Sequence, residues 1–170
     1  SFSSWLRSLG EDVQQLSWLL RSEQTSQVAR RRGAGALNYL FKSLDLIPDG
    51  IDDIGYLDDA FVLRVAAAQI PADEPLGEAS QAVTRLREEA ALVQEFLGPI
   101  YPAFEKYVVN LGNGAARGRT VEEVLSDDEV RDSLLADVKG FSNSYEMPSF
   151  TREEKTLVKL RSFFESKLRA

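Results

Sequence analysis

Cysteine and histidine are both missing from this chain of 170 residues, and the two absences exclude many kinds of functional site. Without cysteine there is no disulfide, no iron–sulfur cluster and no thiol nucleophile. Without histidine there is no imidazole base, no Ser-His-Asp triad and no zinc finger. Chemistry is left to carboxylates, lysine, tyrosine and serine, most readily around a cation that prefers oxygen ligands. The lack of cysteine also fits a cytoplasmic protein, which is the location we expect.

Long apolar stretches and excess positive charge are missing too. The uncharged run FLGPIYPAF at 96–104 is far shorter than the ~20 residues that a membrane-spanning helix needs. The formal net charge is −7 and the isoelectric point is near 4.8, which disfavours nucleic acid and anionic membranes as partners. We therefore expect no membrane span and no nucleic-acid binding.

Apolar residues recur at helical spacing through most of the chain, and no segment alternates convincingly with period two. Capping boxes predict further helices after Thr120, Ser126 and Thr151, because each of these is followed three residues later by a glutamate. We expect an all-α, single-domain bundle of six to eight helices without a sheet. The predicted helices before the capping boxes cover about 4–22, 26–44, 53–70, 77–97 and 101–111.

The turn LGNGAARGR marks the expected internal boundary of the bundle. It separates a helical core at 1–111 from a C-terminal helical portion at 112–170, which we expect to pack on the same core.

Two features of the second predicted helix invite a structural interpretation. Its centre, Gly33-Ala34-Gly35-Ala36, predicts close approach of another helix, with tolerated weak helix propensity as the alternative. The triplet Arg30-Arg31-Arg32 spreads over about 200° of the helix circumference, since successive residues are 100° apart. We expect a solvated face or pairing with the acidic loop rather than a phosphate site.

Six aspartates lie between residues 45 and 59, between two predicted helices. Capping explains three of them, because Asp49, Asp52 and Asp53 stand just before or at the start of a helix. Asp45 similarly ends the preceding helix by bonding backbone in the turn. Asp58 and Asp59 fall inside the helix and need another explanation.

The two inner aspartates differ in a helical projection. Asp58 lies within the apolar arc formed by Ile54, Val62 and Val65, whereas Asp59 lies outside it. A carboxylate in a core-facing stripe must be paired, protonated or metal-bound. Pairing with an arginine, a tyrosine hydroxyl or backbone is the simpler explanation. A cation site that joins Asp58 to Asp45 or Asp49 is the alternative, and direct carboxylate catalysis is a weaker one.

The stretch ALNYLFKSLDLIPDGIDDIGYLDDAFVL at 36–63 resembles the YkvA-like family, a small helical domain of unknown function. The resemblance rests on Tyr39, on DLIPD at 45–49, which includes Pro48, and on GYLDD at 55–59, which begins with Gly55 and Tyr56. We place it on about residues 36–70. The chain departs from the family pattern at Ser43 and Asp52, where the family often has proline. A site shared with the family would use Asp45, Asp49, Asp58 and Asp59. The cofactor is unknown, and a divalent cation, Mg²⁺ or Ca²⁺, is the one that carboxylate ligands would suit.

These observations leave two function classes open. The first is a non-enzymatic interaction or scaffold module that binds a protein, because the helices are amphipathic and no catalytic constellation is recognisable. The second is an enzyme or regulator that depends on a divalent cation held by the aspartate-rich loop. Peripheral association with a membrane protein is a third and weaker expectation, drawn only from the family resemblance.

Overall fold

Helices dominate the computed structural model, which describes residues 2–42, 56–147 and 153–168. Seven helices of the described part have ten residues or more, while α2 has four and α7 has six. The expected all-α fold is confirmed. In chain order the helices are α1 (Phe2–Leu16), α2 (Trp18–Arg21), α3 (Gln27–Tyr39), α4 (Leu57–Ala68), α5 (Ser80–Leu97), α6 (Tyr101–Asn110), α7 (Val121–Ser126), α8 (Asp128–Ser144) and α9 (Glu153–Leu168). Short 3₁₀ turns occupy Gly77–Ala79, Gly98–Ile100 and Leu111–Asn113.

Helix α4 lies at the centre of the described structure. Every residue from Leu57 to Ala67 is buried, because α1, α3, α5 and α6 all pack against this one helix. Its sequence suits that position, since apolar residues surround the helix on all sides. The charged side chains that α4 carries, Asp58, Asp59 and Arg64, are therefore inside the protein.

The C-terminal helices pack on the same core. Helix α8 lies against α1, α7 against α3, and α9 against α6. Their buried apolar residues belong to one continuous cluster with those of the earlier helices, as shown by Val121, Val124, Leu134, Val138, Leu160 and Phe164. None of the helices in the described segments combines the length and apolar character that crossing a bilayer requires.

Several element boundaries differ from the sequence prediction. The first predicted helix is two helices, α1 and α2, which are interrupted at Ser17; its hydroxyl donates to the carbonyl of Gln14 at 2.6 Å. Helix α3 ends at Tyr39 rather than near Leu44, since residues 40 and 41 form a turn. The predicted start of the third helix, at 53, lies outside the described residues.

A small hairpin corrects the expectation that the chain has no sheet. Strands β1 (Ala115–Ala116) and β2 (Arg119–Thr120) pair antiparallel. The two residues between them, Arg117 and Gly118, have φ of 51° and 74°. Positive φ at both central positions defines the type I′ turn that two-residue hairpins favour.

The three predicted capping boxes have three different outcomes. At Thr120 both halves form, since its side chain accepts from the amide of Glu123 while the Glu123 carboxylate accepts from the amide of Thr120. At Ser126 the prediction is wrong by one residue, because Asp127 caps α8 by accepting from the amides of Glu129 and Val130. Thr151 lies outside the described residues.

The small residues of α3 make a close contact, but with a turn rather than with another helix. A Cβ added to Gly35 would lie 3.1 Å from the carbonyl carbon of Leu111 and 3.2 Å from the amide nitrogen of Gly112. A Cβ on Gly33 would meet only the Leu19 side chain, at 3.4 Å. Gly35 therefore sets how closely α3 approaches the 3₁₀ turn at Leu111–Asn113.

The arginine triplet of α3 forms intramolecular hydrogen bonds and an ion pair. Arg30 donates to the carbonyls of Ser22 and Thr25, and Arg32 donates to that of Val109. Arg31 donates to the carbonyl of Gly112 at 2.7 Å and pairs with Glu122 at 2.5 Å. The contacts found in the described segments are with backbone carbonyls and Glu122. Residues 43–55 of the acidic loop lie outside the described residues, so the predicted pairing with that loop stays a prediction.

Candidate functional site

The acidic motif contributes a buried hydrogen bond between α3 and α4. The Tyr39 hydroxyl, from the last residue of α3, donates to Oδ2 of Asp58 in the first turn of α4 at 2.6 Å. Tyr39 is 2% exposed and Asp58 is fully buried. Pairing of Asp58 with a tyrosine hydroxyl, one of the alternatives that the sequence left open, is thus present in the structure. A hydroxyl bonded to a carboxylate makes a short, strong bond, and this one joins the end of α3 to the start of α4.

The electrostatic surroundings keep Tyr39 protonated. Its pKa is raised well above 10.0, first by burial and then by the negative charges of Asp58 and Asp59. Tyr39 therefore remains a hydrogen-bond donor over the whole neutral range. A phenol held in this state positions a carboxylate and does not act as a base.

Asp59 is also inside the protein, which corrects the helical projection. It is 2% exposed. The pKa of Tyr145 is raised first by burial, then by its interaction with Tyr56 and last by the charge of Asp59. The projection assumed a single buried face, whereas α4 is enclosed on every side. Asp58 and Asp59 are therefore both buried, although they lie on different faces of α4.

Tyr56, the residue before α4, has an unusual backbone conformation. Its φ is 70°, in the left-handed region that a bulky residue rarely adopts. The ring packs edge-on against Phe141 at 5.6 Å and against Tyr145 at 5.7 Å. These contacts with α8 and with the residue that follows it hold Tyr56 in its strained conformation.

The other predicted site residues, Asp45, Asp49, Pro48 and Gly55, lie outside the described residues. In the parts of the chain that the structure describes, no three carboxylates come together in a way that could hold a metal ion. The proposed Mg²⁺ or Ca²⁺ site at Asp45, Asp49, Asp58 and Asp59 therefore stays a prediction.

A second polar cluster was not foreseen from the sequence, and it centres on Arg64. This side chain is fully buried in α4, with its guanidinium carbon 4.0 Å from the centre of the Trp5 ring. It donates to Glu89 of α5 at 3.0 Å and to the carbonyl of Ala60 at 2.9 Å. Asp12 of α1 lies 4.0 Å away. Arg64 follows Leu57 by seven residues, so the two lie on the same helix face. An arginine at an apolar position of the helical repeat is the sequence signal that could have predicted this buried charge.

Burial weakens the charged form of Arg64 without removing it. The pKa is lowered to about 10 by burial, while Glu89 and Asp12 oppose the shift. Arg64 is therefore still a cation at neutral pH, and its two carboxylate partners are needed to compensate for it.

Arg85 completes this cluster from the solvent side. Burial lowers its pKa, but hydrogen bonds and charge interactions with Asp12 and Glu89 outweigh that effect, so the pKa is raised. The guanidinium bonds to Asp12 through one nitrogen and to Glu89, at 3.1 Å, through the other. Arg85 thus bridges α1 and α5 across the cluster.

An open groove of about 540 Å³ lies over the cluster, between α1 and α5. Its walls are polar, with Ser8, Glu11 and Gln15 from α1 and Gln81 and Arg85 from α5. Asp12 and Glu89 also line it. The groove is large enough for a side chain or a small polar molecule.

Comparison with known proteins shows that the motif is similar to a family whose function is unknown. Residues 32–64 match the model of DUF1232, described as a protein of unknown function. This segment contains the end of α3, Tyr39, Asp58, Asp59 and Arg64, and it covers well under half of the chain. No curated protein and no solved structure matches the chain.

Proposed function

We propose that this chain is a non-enzymatic helical interaction module that binds another protein in the cytoplasm. The observation that carries the proposal is the inward orientation of the Tyr39–Asp58 pair. A catalytic group has to touch its substrate, whereas this carboxyl is enclosed and bonded to a neutral phenol. The pair holds α3 and α4 together and gives the motif a structural role.

The surface that would bind the partner protein is the groove between α1 and α5. The groove between α1 and α5 is open and polar, so it can receive a polar or charged side chain of a partner. Lack of cysteine favours the cytoplasm as the compartment. We further propose that the stretch at 36–63 is YkvA-like, because the match to a family of unknown function overlaps it.

The test begins with the full-length tagged chain in its native cells. Any protein recovered with it at a constant ratio is purified separately and titrated with the chain by calorimetry. We expect saturable binding of the two purified proteins. The folded Tyr39→Phe variant should bind with unchanged affinity, because the pair lies inside the fold.

Two results would count against this proposal. One is that no recovered protein binds the purified chain. The other is that folded Tyr39→Phe loses binding, because the motif would then contact the partner directly.

A further inference from the structure

The floor of the groove between α1 and α5 contains two carboxylates that accept hydrogen bonds from donors other than Arg85. Asp12 is 2% exposed, and its Oδ2 accepts from the hydroxyl of Ser8 at 2.8 Å. Glu89 accepts from the Trp5 indole at 3.1 Å through Oε2 and from Arg64 at 3.0 Å through Oε1. None of these three donors is Arg85. The two carboxylates would therefore keep their orientation if Arg85 moved away.

Arg85 covers both carboxylates from the open side. One of its terminal nitrogens bonds to Asp12 and the other to Glu89. Its side chain is 41% exposed, whereas that of Asp12 is 3% exposed. Asp12 is thus enclosed and Glu89, at 23%, is partly exposed, while Arg85, which bonds to both, is the most exposed of the three.

The charges around the groove favour a cationic ligand. Its lining contains three carboxylates, Glu11, Asp12 and Glu89, and one guanidinium, that of Arg85. Arg64 lies beneath the floor and offsets one further charge. Moving Arg85 out leaves the groove acidic, so an incoming cation is attracted and an anion is repelled.

The geometry favours a guanidinium over an ammonium group. Two separate carboxylates are reached by the two terminal nitrogens of one planar group, which is how Arg85 binds them now. A guanidinium presents donors in a fixed fork that suits such a pair, whereas an ammonium group is a point charge.

We propose that this groove binds an arginine side chain of a partner protein, and that Arg85 occupies the site in the partner's absence. The inference rests on the proposed interaction function and names the chemistry that the groove recognises. The incoming guanidinium takes over the bonds to Asp12 and Glu89, and Arg85 turns out to solvent. Arg85 thus acts as an internal competitor for the site.

The test is a titration of the full chain with N-acetyl-argininamide, followed by amide NMR shifts. The uncharged isostere N-acetyl-citrullinamide is titrated in parallel. We expect saturable shifts in α1 and α5 with the arginine probe and none with citrulline. Arg85→Ala should bind the arginine probe roughly tenfold more tightly, because removing a competitor that fills the site about nine-tenths of the time raises the competent fraction by that factor.

Arg161→Ala is the matched control. Arg161 is also a half-exposed arginine, at 44%, and it pairs with Glu165 on one face of α9. The control tests whether any vacated carboxylate binds the probe, so we expect no saturable shifts around Glu165. A second variant, Gln81→Arg, adds a cation to the groove wall without removing a buried bond and should weaken probe binding.

Three outcomes would overturn the inference: no saturable shifts in folded Arg85→Ala, equal shifts with citrulline, or equal binding at Glu165 in the control. A recovered partner that binds the chain with equal affinity in the parent and in Gln81→Arg would also overturn it, and would leave the interaction function intact. Probe binding without any recovered partner would instead count against the interaction function alone.

Discussion

The hydrogen bond between Tyr39 and Asp58 shows how one polar pair sustains the local structure. Both side chains are enclosed, so each depends on the contacts that the protein supplies. A buried acceptor that loses its donor carries the full cost of its lost hydration. The pair therefore contributes more to stability than a single hydrogen bond would, because it also connects the end of α3 to the start of α4.

Tyr39→Phe removes the donor and leaves the ring in place. We expect it to lower the free energy of unfolding by about 1–3 kcal/mol, because Asp58 stays buried. Urea denaturation at neutral pH measures the change. Tyr101→Phe is the control, since no side-chain hydrogen bond of Tyr101 is found among the described residues; it should stay within about 0.5 kcal/mol. Equal stabilities of Tyr39→Phe and the parent would contradict the structural role.

The raised pKa of Tyr39 predicts how this contribution depends on pH. Above pH 10.0 the unfolded phenol loses its proton, while the folded one keeps it. The unfolded state then binds fewer protons, so stability falls as the pH rises toward the folded pKa. The stability difference between the parent and Tyr39→Phe should therefore shrink from about pH 9 to pH 11, as measured by denaturation at each pH. A constant difference would show that the pKa is not raised.

At the scale of helices, Arg64 joins α4 to α1 and α5 through Asp12 and Glu89. Arg64→Ala removes a fully buried side chain and its bond to Glu89, while Arg85 still pairs with both carboxylates. We expect a loss of about 2–5 kcal/mol, as for other large buried side chains cut back to alanine. Thermal and urea unfolding should both show a loss of this size. Arg161→Ala breaks an exposed ion pair with Glu165 and an exposed hydrogen bond to the Phe96 carbonyl, and should change stability by less than about 1 kcal/mol. Similar small losses in both variants would mean that the Arg64 cluster does not join the helices.

The two glycines of α3 predict opposite effects of the same substitution. Gly33→Ala should stabilise by about 0.5–1 kcal/mol, because alanine favours the helix and its Cβ meets only the flexible Leu19 side chain. Gly35→Ala should destabilise by about 1–3 kcal/mol, because its Cβ presses on the backbone at Leu111 and Gly112. Unfolding midpoints of the two variants measure the difference. Stabilisation by both would refute the close contact.

Over the whole molecule, structural features that depend on a few neighbouring residues were predicted from the sequence more accurately than features that depend on tertiary contacts. The capping box at Thr120 was predicted because it involves only residues 120–123. The hairpin was missed because strands of two residues show no alternation. Asp59 was misplaced because a projection of one helix cannot show that four others surround it. Of the candidate site, the burial of Asp58 was foreseen as a choice between a pair and a metal, but its bond to Tyr39 depends on tertiary packing.

The central claim is that Asp58 and its partner Tyr39 act inside the fold, and the cation dependence of stability tests it most directly. The full chain is unfolded thermally with millimolar Mg²⁺ or Ca²⁺ and with a chelator. A cation bound only by the folded state would add about 2.7 kcal/mol at a hundredfold excess over its Kd. We predict the same unfolding midpoint in all three solutions. A rise in midpoint with either cation that disappears in Asp58→Asn would contradict the claim.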